Sequence, residues 1–554
     1  MPDFQPGDVA YVAVDQCKAK VLEKEPAAKR RPKGRTWKRA ALLWGDEVMV
    51  RSLHGSKLRV SAKGHLLEVK RSELTDRGIL SLWQIDCGQG DAALIRFPDG
   101  SFAAVDVGPP RSGLINSNSA RTAVDFFKWI AFQDHNWRFE GEAAGEPFHF
   151  EWIAFSHPDE DHIGAGKELV SKLGSYWSIG TVYHCGLGRY SGREPKPWRP
   201  PSGNGARRRG FSQLGLVDGA SEDRLFLTSL IDGWGDVETY SKTAASRPWK
   251  LAGNYASILK TLHQHRGGAV QDLRRLSHHS DGSALGRGGV RVEVLGPIEE
   301  TLPGTTTRAL RYLDNNDTSG FYNLAGPSLS RNGHSLVLRL DYGDVRILLT
   351  GDLNFKAQAL LQAQWPASEL ACHVAKACHH GSQDVSWKFL EAMSPLATMF
   401  SSGDQETHVH PRALILGLTG RLAPRMRKRQ GNSFVKNEFD GFEEPELFAP
   451  LLYSTELSRS ARLRADLKTY SKSKDADDQD VYTEVQGVHF KGARANDTYL
   501  RSRDVWIVDQ MTYGLINVRT DGERILLAVL EEGDPTEPEY HLETLVPAEL
   551  VKLA

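Results

Sequence analysis

Between residues 1 and 75 the apolar positions come in short alternating runs at 9–14, 39–44, 47–51, 58–60 and 66–69, with turn residues between them. Period-two alternation over so few residues marks half-buried strands, and several close together predict a small SH3-like β-barrel. From 79 onward the runs lengthen. The run 80–85 leads into Asp86-Cys-Gly-Gln-Gly-Asp91, and 92–97 and 101–105 flank Pro98-Asp99-Gly100. Asp-Gly between two strands supports a turn that matches strand twist, so a hairpin is expected there. A helix is expected over 120–132, followed by an apolar strand at 152–155. Strands resume at 335–340, 346–350, 371–376 and 397–400. Strands alternating with helices predict a layered α/β domain.

The segment 186–330 breaks this rhythm with Gly, Pro and Arg, and reads as a long insertion in that domain. Beyond 420 lie a basic run at 421–429 and a polar stretch at 471–480, which reads as a linker. Strand patterns such as 505–508 and 525–529 then predict a small β-rich C-terminal domain. The expected organisation is a barrel over 1–75, a catalytic α/β domain over 79–420, a basic segment and linker over 421–480, and a terminal domain over 481–554.

Composition narrows the function classes only slightly. With 554 residues, more than one core is needed. Sixty-nine basic side chains against 70 acidic ones give a formal charge of -1, so any nucleic-acid surface must come from local clusters. Three clusters qualify: 29–39 with Trp37 inside it, Arg207-Arg208-Arg209, and 421–429. Five scattered cysteines without CxxC spacing exclude a disulfide framework and a cysteine zinc site. There is no signal-peptide pattern and no apolar run of bilayer length, so a cytoplasmic protein without a membrane segment is expected.

The chemistry sits at strand ends. His157, Asp159, Asp161 and His162 fall directly after an apolar strand, where a loop can turn all of them into one cleft. Imidazole nitrogens and carboxylate oxygens suit zinc or manganese. Taken alone, such a loop is more often a solvated acidic turn, but here it does not stand alone. Asp352 follows another buried strand, and its two oxygens can bridge two metals ~3.5–4 Å apart. A histidine from the pair His379 and His380 can complete the second metal. Asp106, also at a strand end, is placed to orient a ligand histidine or a water. His408 and His410 are candidates for binding a phosphate oxygen or donating a proton to a leaving alkoxide, against the plainer reading of locally satisfied loop histidines.

In order, Asp-Cys-Gly-Gln-Gly-Asp91, Asp106-Val-Gly, Ser156-His-Pro-Asp-Glu-Asp-His-Ile-Gly164, Leu348-Leu-Thr-Gly-Asp352 and His379-His-Gly-Ser382 resemble the metallo-β-lactamase-fold domain of ComEC-type DNA-internalisation proteins and their soluble relatives. The resemblance covers roughly 79–415, broken by the insertion. It implies an αββα sandwich, a two-metal centre holding Zn2+ or Mn2+, and phosphoesterase chemistry with nuclease activity foremost. It implies His157, Asp159, Asp161, His162 and Asp352 as ligands, completed by His379 or His380. Asp159 stands where the wider superfamily has a histidine, which hardens the site and moves the expected metal towards manganese. The superfamily's middle histidine has no clear counterpart; His334 is the nearest, while Asn332 fits the pattern of the ComEC-like branch.

The expected enzyme is therefore a phosphodiester hydrolase in which metals generate hydroxide at neutral pH. Asp161, Asp106 and His410 would be the catalytic side chains, with Arg207, Arg208, Arg209 and His408 on the substrate. Nucleic acid is the expected partner, with a protein partner conceivable through the terminal β-rich domains. Two other readings compete: a hydrolase of a small ester, phosphocholine-like or a lactone, and a non-catalytic metal-containing binding protein.

Overall fold

The computed structural model describes residues 2–24, 39–63, 65–110, 122–127, 130, 148–173, 177–192, 210–221, 224–313, 327–402, 410–422, 451–455, 470–474, 480–484, 515–530 and 540–545. It is a mixed α/β structure with several sheets. The first is a seven-stranded antiparallel sheet. Its strands run in the order Arg39–Leu43, Gln16–Lys24, His65–Lys70, Lys57–Ala62, Glu47–His54, Val9–Val12 and Leu74–Thr75. Inward positions such as Val12, Ala19, Val48, Val50, Val60 and Leu67 form its own core. The strand Gln16–Lys24 was not anticipated, because lysines alternate with its buried residues and mask the apolar run.

Two larger sheets face each other. One has nine strands, ordered Val270–Arg275, Trp177–His184, Phe148–Phe155, Phe102–Val105, Ala93–Arg96, Leu80–Gln84, Ile516–Thr520, Ile525–Leu530 and Tyr540–Leu545. The other has six: Arg291–Gly296, Val337–Tyr342, Val345–Leu349, Val374–Lys376, Ala397–Phe400 and Leu451–Ser454. Leu82, Ile95, Trp152 and Val518 from the first meet Leu338, Ile347, Val374 and Met399 from the second in one shared core. The opposite face of the first carries Phe150, Ile153 and Phe155 against Phe127, Leu169, Ile258 and Leu259 of its covering helices. The opposite face of the second packs Leu348, Ala375 and Phe400 under Leu361, Phe389 and Ile415. Burial on both faces explains why these strands read as unbroken apolar runs. The Asp99-Gly100 hairpin is present, with Gly100 at φ +87 and strand 93–96 antiparallel to 102–105.

Two boundaries differ from the sequence reading. The strands at 516–545 form no separate domain; Ile516–Thr520 pairs antiparallel with Leu80–Gln84, and Ile516, Val518, Leu527 and Val529 complete the shared core. Within the segment read as an insertion, Val270–Arg275 is the edge strand of the nine-stranded sheet, and Arg291–Gly296 belongs to the six-stranded one. As edges they expose Gln271, Arg274 and Arg291, which breaks the apolar pattern. Other described parts of the insertion build a five-stranded sheet from segments at 210–227 and 299–311, and the helix Gly253–Gln264 covers the nine-stranded sheet. The polar stretch read as a linker contains a hairpin, Tyr470–Lys474 against Asp480–Glu484. Among the described residues, no helix is long and apolar enough to cross a membrane. All five cysteines are free and buried.

Buried charge fastens the N-terminal sheet to the nine-stranded one. Arg519, fully enclosed, reaches Asp46 at 2.8 Å and the Trp44 carbonyl at 2.7 Å, with its guanidinium over the Trp83 ring. Lys63 meets the other Asp46 oxygen at 2.8 Å. Burial by itself raises the Asp46 pKa; Arg519 and Lys63 outweigh it and hold the carboxyl well below its ordinary range. Breaking a buried pair from one side strands a charge, which costs about 3–5 kcal/mol. Arg519→Met is accordingly expected to lower the unfolding free energy by about 3 kcal/mol in urea titration. An unchanged midpoint would mean that Lys63 alone compensates Asp46.

Candidate metal centre

Parallel strands end side by side, and the crevice beyond their carboxyl ends is where an α/β sheet can gather side chains from distant sequence. Phe102–Val105 delivers Asp106, Phe148–Phe155 delivers Ser156 to His162, Val345–Leu349 delivers Asp352, and Val374–Lys376 delivers His379 and His380. The loop 85–92 closes the edge with Asp91. Gly90 must be glycine there: a Cβ would lie 2.3 Å from the Asp161 carbonyl. Asp106, His379 and His380 are non-glycine residues at positive φ (58, 45 and 53), a conformation costing of order 1–3 kcal/mol each and concentrated at functional sites.

The left-handed His379-His380 turn brings both rings to Asp352. His380 Nε2 lies 3.4 Å from Asp161 Oδ2, 3.5 Å from Asp352 Oδ2 and 3.3 Å from His162 Nε2, which is itself 3.2 Å from Asp352 Oδ1. At the other end, His379 Nε2 is 3.6 Å from Asp352 Oδ2, and His157 Nε2 is 3.7 Å from Asp159 Oδ2 and 3.9 Å from Asp352 Oδ2. Metal bonds of ~2.0–2.2 Å in a tetrahedron place donor atoms ~3.3–3.6 Å apart. His380 Nε2 stands at that spacing from Asp161, Asp352 and His162, and His162 Nε2 just inside it from Asp352; the His157–Asp159 end is slightly wider.

Each imidazole is held from behind. Asp106 Oδ2 accepts from His162 Nδ1 at 2.8 Å and from the Ser156 hydroxyl at 2.6 Å, while its Oδ1 accepts from the Ser156 amide. Asp384 holds His379 Nδ1 at 3.0 Å, the Ser401 carbonyl holds His380 Nδ1 at 2.8 Å, and the Ser156 and Ser335 hydroxyls face His157 Nδ1. Such backing fixes the tautomer and turns Nε2 inward, the arrangement expected of metal-ligating histidines. His157 Nε2 is buried with no hydrogen-bond partner, an orphan atom that an ion would satisfy.

Carboxylates and burial compete in setting the charge of the site's imidazoles. Burial opposes the charged form of His162, but Asp352, Asp106 and Asp161 outweigh it and raise its pKa well above the ordinary value. Burial likewise opposes His380, which Asp352 and Asp161 drive up to about 10. Asp352 is held well below the carboxylate range, despite burial, by His162, His380, His379 and Lys376. His157 goes the other way, lowered by burial and then by the His162 charge. A divalent ion bound here would displace the protons that these carboxylates favour on the imidazoles.

Two cations and one carboxylate of this centre were not singled out from the sequence as site residues. Lys376, buried, contacts Asp91 and lies 2.9 Å from the Gly351 carbonyl and 3.5 Å from Asp352 Oδ1. Arg331 pairs with Asp159. Asp91, His162, Asp352 and His380 each place a ligand-type atom within 4.8 Å of one another. Asp91 nevertheless approaches His162 through Nδ1, at 3.8 Å, the nitrogen that Asp106 already holds. Asp161 instead meets His380 at Nε2, 3.4 Å away. A lysine ending a buried strand and the closing Asp of the 86–91 motif were the available signals; Arg331 gave none.

His410 is buried with its ring against His380, centroids 6.4 Å apart and 20° between planes, and 5.8 Å from His379. His334 is not part of the centre: its Nε2 lies 2.6 Å from the Arg311 carbonyl. Asn332 is: its side-chain amide lies 3.2 Å from His379 Nε2, and turned to satisfy both neighbours it would donate to Asp159 Oδ2 at 3.0 Å and accept from His379. Arg207, Arg208, Arg209 and His408 lie outside the described residues, as do Trp37 and most of the 421–429 run.

No family model matches the chain. ComE operon protein 3 of Bacillus subtilis (strain 168) is 27% identical over 111 residues, which is 20% of this chain and 14% of that protein. Among solved structures, the metallo-β-lactamase fold protein YhfI from Bacillus subtilis superposes with a TM-score of 0.26 at 9% identity, covering 58% of this chain and 85% of its own. A diphosphatase of the PhnP family gives 0.23 at 9% identity, with the same coverage. Superposition at this level carries no argument about this chain, whose chemistry rests on the convergence of its own imidazoles and carboxylates on Asp352.

Proposed function

We propose that the protein is a metal-dependent hydrolase of phosphodiester bonds, with nucleic acid as its substrate, built on a metallo-β-lactamase αββα sandwich of the ComEC-like kind. The observation that carries this is the set of four imidazole Nε2 atoms, from His157, His162, His379 and His380, gathered at 3.2–3.9 Å around the Asp352 carboxylate. Asp161, His162, Asp352 and His380 would hold a divalent ion, with His157, Asp159 and His379 at the adjoining end. A bound ion there supplies Lewis-acid charge for the phosphate and hydroxide at neutral pH. The chain's own residues do the rest. Asp106 keeps the His162 ring turned inward, Lys376 fixes the Asp352 carboxylate from below, and His410 is near enough to His379 and His380 to donate a proton to a leaving alkoxide. Three carboxylates in the donor set favour manganese at least as well as zinc.

The test is to strip the protein, reload it with Mn2+ or Zn2+, and assay a chromogenic phosphodiester, single- and double-stranded DNA, and RNA. Turnover dependent on added metal, with Mn2+ matching or exceeding Zn2+, is expected. Metal-replete protein that cleaves none of these substrates would overturn the reading. Cleavage of the small diester alone would remove the nucleic acid and leave a small-ester hydrolase.

A further inference from the structure

The two ends of the centre are not equivalent. At the Asp161 end, donor atoms stand 3.2–3.5 Å apart, and the protein cation nearby, Lys376, lies beneath Asp352. At the Asp159 end, the donors that would receive an ion are already engaged. Asp159 Oδ1 is paired with the Arg331 guanidinium, whose side chain is 12% exposed, and Oδ2 lies 3.0 Å from the Asn332 side-chain amide, which donates to it once turned to suit its neighbours. His379 has partners on both nitrogens: Asp384 on Nδ1 and the Asn332 oxygen, 3.2 Å from Nε2. His157 Nε2 has no hydrogen-bond partner among the described residues, and Asp159 Oδ1 has the Arg331 ion pair in place of one. An ion placed there would sit beside a buried monocation that cannot lose its proton, and would share Asp352 with the other end.

We propose that Arg331 supplies the positive charge at the His157–Asp159 end, so that the centre binds one divalent ion tightly, at Asp161, His162, Asp352 and His380, and a second only weakly. The guanidinium then does for the phosphate's charge part of what a second metal does in a two-metal site. This rests on the hydrolase reading above but concerns metal count, which is measured without turnover.

Metal-free protein is titrated with Mn2+ by calorimetry, and its metal content after desalting is read by atomic emission, for the parent, Arg331→Gln and Arg331→Lys. The parent is expected to retain one equivalent. Arg331→Gln should tighten the second equivalent at least about tenfold, since the competing charge is gone and Asp159 is freed. Arg331→Lys should fall between the parent and Arg331→Gln, because lysine keeps the charge but can lose its proton to the ion. Two equivalents of matched affinity in the parent overturn the proposal and leave the hydrolase reading standing; that result needs no variant to fold. An unchanged second affinity in a folded Arg331→Gln protein overturns it equally. Failure of every form to bind any divalent ion overturns the hydrolase reading as well.

Discussion

Asp161→Ala should lower metal-dependent phosphodiester hydrolysis by at least about 10²–10³-fold, the loss typical of removing one preorganised electrostatic group from an active site. The fold should survive. The Asp161 side chain is 34% exposed, its partner His380 keeps Asp352 and the Ser401 carbonyl, and the contact from Asp91 uses the Asp161 main-chain oxygen. Asp352→Ala would be a poorer experiment, because it leaves the buried Lys376 ammonium with Asp91 as its one remaining carboxylate partner and mixes catalytic with structural loss. The readouts are turnover at saturating metal, metal content, and the thermal midpoint of the metal-free protein, which should move by a few degrees at most. Parental turnover at matched metal occupancy would remove Asp161 from the centre.

Stability should fall on acidification through two buried histidines that are not ligands. His184 is buried in contact with the Tyr255 hydroxyl, and burial, reinforced by Arg275, lowers its pKa to about 3. Burial lowers His334 to about 4. Both have a folded pKa below the ordinary 6.5. Below 6.5 the unfolded chain therefore takes up protons that the fold refuses, and stability falls with pH until about 4 for His334 and about 3 for His184. Each histidine contributes a slope of about 1.4 kcal/mol per pH unit, so the pair removes about 5 kcal/mol between pH 6.5 and 4.5. That is comparable to the whole stability of many domains. Urea titrations at stepped pH check this, with His184→Gln and His334→Gln each expected to flatten the slope by about one proton. Comparing slopes cancels whatever the metal centre itself contributes. Equal slopes in parent and variants would mean that neither histidine is held neutral.

Much of the candidate site was legible because its pieces are local. Four potential ligands follow one buried strand between 157 and 162, and Asp106, Asp352 and the 379–380 pair each follow another, so a reader of apolar runs meets them at strand ends. The choice between His379 and His380 was not legible. It depended on two consecutive left-handed residues that bring both rings to Asp352, His380 beside Asp161 and His379 beside Asp384, and nothing in His-His-Gly-Ser states those dihedrals. Arg331 and Lys376 were missed for another reason. Each looks in sequence like an ordinary charged residue, and its meaning comes from Asp159, 172 positions away, or Asp91, 285 positions away.

The fold divides along the same line. Sequence by itself determined the class: alternating runs set most of the strands, Asp99-Gly100 set a hairpin, and apolar strand ends followed by His and Asp set the donors. These depend on backbone period and turn chemistry, which act over a few residues. Only the tertiary structure decided that the strands at 516–545 join the sheet begun at residue 80, that 270–275 is its far edge, and that Arg519 is sealed against Asp46. A strand's period says which side chains share a face, but not which strand will lie beside it. That neighbour is chosen by burying apolar faces and pairing charges between segments hundreds of residues apart, interactions whose strength exists only once water has been excluded between them.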